Sequence, residues 1–284
     1  WHIKGSSQAL SDAYAARIKE LGGTVKTDTL VTKILMDNGR ATGVRTATGQ
    51  TYTARYIVAN TDPYQLAYRL IGKENMTRAY LEKLESLKPA NSLFGVFLGL
   101  NIDLAKRGYK DTEIFYNAHR SSIKNYEAMM KGDFQNGSVA ITIYSNLGDP
   151  VYAPAGKSVV KLDAYSDIAY WPEDRAAYEK LKAQKVDELI GLAAKVIPEL
   201  ADSKNIEVKE GYTPRTIQRY TMNRGGVVYG FDVTPAQWEK MPNTTPVPNV
   251  FIASNWTQAW HGVGSCQVNG WRAARMILDR EGIE

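Results

Sequence analysis

Apolar residues recur along this chain with two different periods, and the places where the period changes divide it. Near the start Leu10, Ala13, Tyr14, Ile18 and Leu21 repeat at helical spacing, with Ser6 or Ser7 placed to cap the helix and Gly22-Gly23 to end it. Alternation then takes over. Val25 to Met36 and Gly43 to Thr48 read as strands joined through Asn38-Gly39, a pair that tolerates positive φ and so favours a two-residue hairpin turn; a second turn follows near Gly49. Tyr56 to Asn60 is an apolar run that predicts a buried strand, and Asp62-Pro63 opens a helix through about Ile71.

From about Met76 the pattern changes. A helix around Thr77 to Leu87 precedes strand-like runs at Ser92 to Leu100, Glu113 to Tyr116, Ser138 to Tyr144, Ser158 to Tyr165 and Asn205 to Tyr212. Between the last two lies a long helix bounded by Pro172 and Pro198, with Tyr178, Leu181, Leu189, Ile190, Ala193 and Ile197 on its apolar face. Several strands with one long helix predict a mixed sheet covered on one side.

The last segment runs strand, loop and helix. Val250 to Ala253 is a short buried strand, an aromatic and polar loop follows, and Gly262-Val263-Gly264 opens a helix. Cys266, Gly270, Ala273 and Ala274 give that helix a face of small residues, and its first turn carries no acidic side chain. Free backbone N–H groups and the positive end of the helix dipole are therefore open to an electron-rich ligand atom: a phosphate, a carboxylate or a reduced flavin ring. A plain strand-to-helix turn with a tightly packed helix explains the same glycines.

Composition narrows the classes. The chain has 284 residues, 44% hydrophobic and 23% charged, ordinary values for a folded globular protein long enough for one large or two modest domains. A formal net charge of +5 is mild and calls for no nucleic-acid partner; it suits an anionic cofactor or peripheral contact with a membrane surface, and equally a solvated surface. One cysteine excludes an internal disulfide, and no Cys/His spacing marks a metal site. The chain shows no signal peptide and no apolar run of membrane-spanning length, so a cytoplasmic location, with membrane association, is expected.

The closing stretch, with Arg219-Tyr-Thr-Met-Asn-Arg-Gly-Gly-Val-Val-Tyr-Gly-Phe231, resembles the C-terminal end of phytoene desaturase-like flavoproteins, a group that includes carotenoid isomerases and retinol saturases and is related to the amine oxidases. Gly22-Gly23, Val31-Thr-Lys-Ile34, Gly39-Arg-Ala-Thr-Gly-Val44 and Ile57-Val-Ala-Asn60 resemble the middle of the same proteins. The resemblance implies an α/β fold. A partial FAD-binding, Rossmann-like domain would occupy residues 1–75 and 219–284, with a mixed-sheet α+β substrate domain at 76–218. Trp1 stands where a Met would begin a gene product, and no Gly-x-Gly-x-x-Gly lies between a strand and a helix. A C-terminal fragment is thus expected, whose missing N-terminal part would complete the FAD site; the isolated chain should bind FAD weakly and be inactive.

Carried over residue by residue, Val31 would present its backbone to the adenine end of FAD; a plain strand valine is the other reading of that position. Asn255 stands where related enzymes often place an acidic residue on the ribityl chain, with Trp256 beside it. Gly262, Val263, Gly264, Ser265, Cys266 and Gln267 match the loop and helix start beside the isoalloxazine. Tyr229, Trp260 and His261 would face the substrate, near Phe231 and Trp238. The Gly225-Gly226 pair ahead of Tyr229 serves either a packing turn or a wall of the site. His261 reads either as an acid or base or as a structural hydrogen-bonding group, and Cys266 either as a low-pKa nucleophile or simply as a small residue beside the ring; no catalytic residue is assigned. Tyr116, Tyr144, Tyr165 and Tyr170 either line a tunnel for a long apolar substrate or fill ordinary strand positions. The expected activity is that of an FAD-dependent oxidoreductase on carbon–carbon bonds of an apolar, isoprenoid-like molecule: desaturation, saturation or isomerisation. The alternatives are an amine-oxidase-like dehydrogenase with a polar substrate and a non-catalytic domain that keeps the fold.

Overall fold

The computed structural model describes residues 2–258 and 261–283. Helix α1 (Ser6–Glu20) precedes β1 (Val31–Asp37), β2 (Arg40–Thr46), β3 (Thr51–Thr53) and β4 (Ile57–Ala59). The short α2 (Pro63–Gln65) widens into a π-helical turn over Leu66–Ile71, and α3 (Arg78–Ser86) follows. The middle runs β5 (Ser92–Leu100), β6 (Glu113–Asn117), α4 (Ser122–Met130), β7 (Ser138–Ile143), β8 (Ser158–Ser166), α5 (Arg175–Ala193) and β9 (Ile206–Tyr212). Then α6 (Pro214–Thr221), β10 (Val250–Ile252) and α7 (Val263–Glu281) complete the described elements. Two compact units alternate along the chain. One comprises Trp1–Lys26 and Leu93–Thr216, the other Thr27–Ser92 and Ile217–Glu284.

The first unit is built on a five-stranded sheet in the order β6-β7-β8-β5-β9. Alternate residues of its strands, among them Phe94, Val96, Leu98, Ile141, Val160 and Leu162, are fully or almost fully buried and pack with Val186, Leu189, Ile190 and Ala193 of α5. That is the one-sided cover that period-2 strands and one long amphipathic helix dictate. Asp174 caps α5 by accepting the Ala177 amide, two residues inside the helical limit set by Pro172. Helices α4 and α6 have no counterpart among the predicted elements; α4 is only nine residues long and starts at Ser121, whose hydroxyl accepts the Lys124 amide.

Residues 1–26, grouped on sequence with the cofactor-binding part, cluster here with 93–216. The Gly5 amide donates to the Asp149 carboxylate at 2.7 Å, a tie no pattern in the sequence announces. Ser6, at φ 75, is the effective cap, its hydroxyl accepting the Gln8 amide. The apolar face expected on α1 is present in order but not in burial: no residue of the helix is buried, and Leu21 is 70% exposed.

The second unit holds the antiparallel meander β1-β2-β3 and the parallel pair β10-β4. Asn38 (φ 48) and Gly39 (φ 75) make the hairpin turn their sequence dictates. The strand expected from Val25 starts only at Val31: Asp28 sits at φ 52 and the Thr29 hydroxyl closes a local turn on the Thr27 carbonyl, so the chain before it cannot stay extended. Asp62 caps α2 through Tyr64, and the Tyr64 hydroxyl donates to the carbonyls of Leu84 and Leu87, joining α2 to α3. Ile34, Leu66, Ile71, Leu84, Phe231, Ile252 and Trp256 form the core. The chain is thus a mixed α/β protein, as expected.

Candidate functional site

The head of α7 is open. Gly262 has φ 91, a conformation glycine tolerates, and side-chain carbons built at Gly262, Gly264 or Gly270 would meet nothing within 4 Å among the described residues. Cys266 is the first residue of the helix whose amide finds an acceptor inside it, the Gly262 carbonyl at 2.9 Å. The amides of Val263, Gly264 and Ser265 have no intrahelical acceptor, and no acidic side chain occupies the first turn. An electron-rich planar group fits that opening: amide donors without a side chain in the way, and positive dipole potential behind them.

Buried amides behind the helix hold it in place. Asn269, fully buried on α7, donates to the Ser254 carbonyl at 2.8 Å, while Asn243 donates to the Ile252 carbonyl at 2.8 Å and reaches Asn269 at 3.5 Å. The Thr257 hydroxyl closes a turn on Ser254. Asn269 and Asn243 were not singled out on sequence; the signal for Asn269 is a lone amide side chain one position before Gly270 on the small-residue face. Nothing local marks Asn243.

Among the expected site residues, Asn255 donates to the Val228 carbonyl at 2.7 Å, so its amide nitrogen is committed to the loop that carries Tyr229. Gly230, at φ 74, lets that loop lie against the Asn255 carbonyl: an added Cβ would come within 2.5 Å of it. Trp256 is 1% exposed, its ring 4.9 Å from Phe231 and 6.3 Å from Tyr64, edge to face with both. Its side chain is core, which leaves its backbone as the part able to meet a ligand. Trp238, in contrast, is 66% exposed. Val31 opens β1 opposite Thr46. Trp260 lies outside the described residues.

Tyr229 and His261 come together with ring centroids 4.8 Å apart. Burial, and then the charge of Lys240, push the His261 imidazole below its ordinary pKa and favour its neutral form. Lys240 is itself buried; its ammonium donates to the Phe231 carbonyl at 2.9 Å and to that of Asp232, fixing the chain just after Tyr229. Desolvation raises the Cys266 thiol pKa, opposite to the shift a helix-head nucleophile would need.

A hollow of about 730 Å³ lies in the same unit, lined by Asp62, Tyr64, Gln65, Tyr68, Met222 and Arg224 among others. It contains none of the residues expected at the site. Asp62, wholly buried, accepts the amides of Tyr64 and Arg224 with its two oxygens, and the Arg224 guanidinium lies 4.4 Å over the Tyr64 ring. Among the described residues no helix is long and apolar enough to cross a membrane.

The chain is 26% identical to a chloroplastic prolycopene isomerase of Daucus carota over 99% of its own length and 44% of that protein, and 28% identical to the neurosporene-forming phytoene desaturase of Rhodobacter capsulatus over 97% and 53%. It spans about half the length of the curated relatives it matches. Wild-type putrescine oxidase, solved bound to putrescine, shares the fold with a TM-score of 0.62 at 13% identity, covering 96% of this chain and 53% of that one. The model of the flavin containing amine oxidoreductases matches residues 1–278, and the chain belongs to that family.

Proposed function

We propose that the protein carrying this chain is an FAD-dependent oxidoreductase acting on carbon–carbon bonds of an apolar, isoprenoid-like substrate. The observation that carries the reading is the open head of α7, where Gly262 and Gly264 leave amide donors uncovered, in a chain whose family is named for its flavin. The named relatives, an isomerase of prolycopene and a desaturase of phytoene, favour a polyene over an amine. Residues Gly262 to Gln267 would hold the isoalloxazine edge, the Asn255 side-chain oxygen would accept from the ribityl chain, and Val31 would meet the adenine end through its backbone.

When bound, the flavin supplies two-electron chemistry, taking hydride from carbon or returning it. The amides of Val263, Gly264 and Ser265 would stabilise the negative charge that gathers on the ring, with no side chain needing to ionise. Neutral His261, tilted against the Tyr229 ring, gives the substrate side an uncharged aromatic wall that suits an apolar molecule and excludes water. Hydride loss from one carbon leaves a proton to be lost from its neighbour, and no residue is assigned to accept it.

Anaerobic mixing of the purified, flavin-loaded protein with a carotenoid polyene and, separately, with putrescine tests the reading. Flavin spectral change with the polyene alone is expected. Bleaching by the diamine alone would favour an amine oxidase, and purification without flavin a non-catalytic domain.

A further inference from the structure

The face of the five-stranded sheet turned away from α5 carries a charged cluster that the proposed flavin chemistry does not use. Antiparallel pairing sets Phe115 opposite Ala140 and Ala140 opposite Asp163 in one row, with Gly95 opposite Tyr212 on the neighbouring strands. The next row brings Glu113, Thr142 and Lys161 into line, with Phe97 opposite Glu210.

Within these rows the Lys161 ammonium lies 2.9 Å from the Asp163 carboxylate, and the Tyr212 hydroxyl donates to the other carboxylate oxygen. Lys161 also sits over the rings of Phe97 and Tyr212, 5.6 and 5.5 Å from their centroids. Gly95 makes this arrangement possible: a Cβ there would fall 2.5 Å from the Tyr212 hydroxyl and 2.3 Å from the Leu162 carbonyl.

The pair is four-fifths buried, with side-chain exposures of 21% for Lys161 and 18% for Asp163. Holding two charges at that depth costs desolvation that an apolar pair would avoid, so the sheet gains little stability from them. Hydrogen-bonding capacity remains. An ammonium has three N–H groups, of which Asp163 takes one and the ring faces are weak acceptors; an ionised carboxylate accepts more than the two bonds made here. Desolvation also raises the Asp163 pKa, opposed by Lys161. Ala140 stands opposite Asp163 with only a methyl side chain, and Phe115 and Tyr165 on the same face are exposed.

We propose that Lys161, Asp163 and Tyr212 form a polar anchor for the hydroxyl- or carbonyl-bearing end of an otherwise apolar, isoprenoid-like molecule whose chain lies along Phe97, Phe115 and Tyr165. The inference rests on the substrate class proposed above and narrows it: a pure hydrocarbon would cover the charged pair without supplying a hydrogen bond, whereas a hydroxyl donates to Asp163 and accepts from Lys161, and a carbonyl accepts from Lys161 alone.

Titration of the purified protein in detergent micelles with geranylgeraniol, geranylgeranial and the hydrocarbon of the same skeleton tests it. The alcohol should bind roughly tenfold tighter than the hydrocarbon, with the aldehyde between them. In Asp163→Asn the ratio should fall toward one while hydrocarbon affinity holds. The double variant K161M/D163L, in which an apolar pair replaces the charged one, keeps the fold testable; its melting curve should match the wild type, and its preference for the alcohol should vanish. Equal binding of alcohol and hydrocarbon by the wild type, a preference unchanged in the variants, or no binding of any of the three would overturn the anchor. Flavin retention and reduction in the same samples report on the α7 reading separately: lost flavin with an intact alcohol preference defeats that reading alone.

Discussion

Asn269, in the second turn of α7, donates its side-chain amide to the main-chain carbonyl of Ser254 at 2.8 Å, with both groups buried. The bond crosses from the helix to the end of β10 and sets where the helix head stands. Replacing Asn269 with leucine leaves the Ser254 carbonyl without that donor, at a cost of about 1–3 kcal/mol. Urea unfolding should show a loss in that range, and the variant should retain less flavin than its stability alone accounts for.

Asn249 makes a comparable brace for the meander. Its oxygen accepts the Ala41 amide at 3.0 Å, and its nitrogen donates to the carbonyls of Ala41 and Arg55, each at 2.7 Å. Asn249→Ala removes all three bonds at once and should cost roughly 2–4 kcal/mol, given about 1 kcal/mol for each bond and the penalty for groups left unpaired. Hydrogen exchange at the Ala41 amide should rise with it. An exchange rate no different from wild type would show that the brace is redundant.

Gly230 joins the Tyr229 loop to Asn255 at a distance no side chain allows. Gly230→Ala combines a positive φ with a contact against backbone, so it should destabilise by more than about 1 kcal/mol. It should also separate Tyr229 from His261. The measurement is the His261 titration by NMR, whose pKa should move back toward its ordinary value as the imidazole is exposed.

That titration has a consequence for stability. The folded-state pKa of His261 lies below its ordinary value of 6.5, because of burial first and the Lys240 charge second. As pH falls through about 6.5 the unfolded chain takes up the proton before the folded one, so stability drops; the loss levels off only below the folded-state pKa. The charged groups near it are Lys240, whose ammonium burial pushes below its ordinary pKa, and through it Asp232. His261→Gln should flatten this part of the stability profile, and an unchanged slope would assign the acid sensitivity elsewhere.

Local chemistry made much of the fold legible. Asn38-Gly39 dictated its turn, Asp62-Pro63 its helix start, and the period-2 runs from Ser92 to Tyr212 the sheet that α5 covers. Contacts distant in sequence were not legible. Gly5 to Asp149 and Asn249 to Ala41 are single hydrogen bonds between residues whose identities make no pattern, and Asp28 broke an expected strand by a local turn. At the candidate site, the glycines of α7 were visible because close approach demands glycine. The buried Lys240 and the cluster of Lys161, Asp163 and Tyr212 were not, because charged residues at those spacings read as solvated strand and loop positions.

The central claim is that the open head of α7 holds a flavin, and Gly264→Leu tests it most directly. A Cβ at Gly264 meets nothing within 4 Å among the described residues, and leucine is a better helix former than glycine, so the variant should fold with a melting temperature close to wild type. Flavin absorbance per purified protein should nevertheless fall by roughly tenfold or more, the equivalent of about 1.4 kcal/mol in binding. A stable variant that keeps its full complement of flavin and turns over substrate normally would contradict the account.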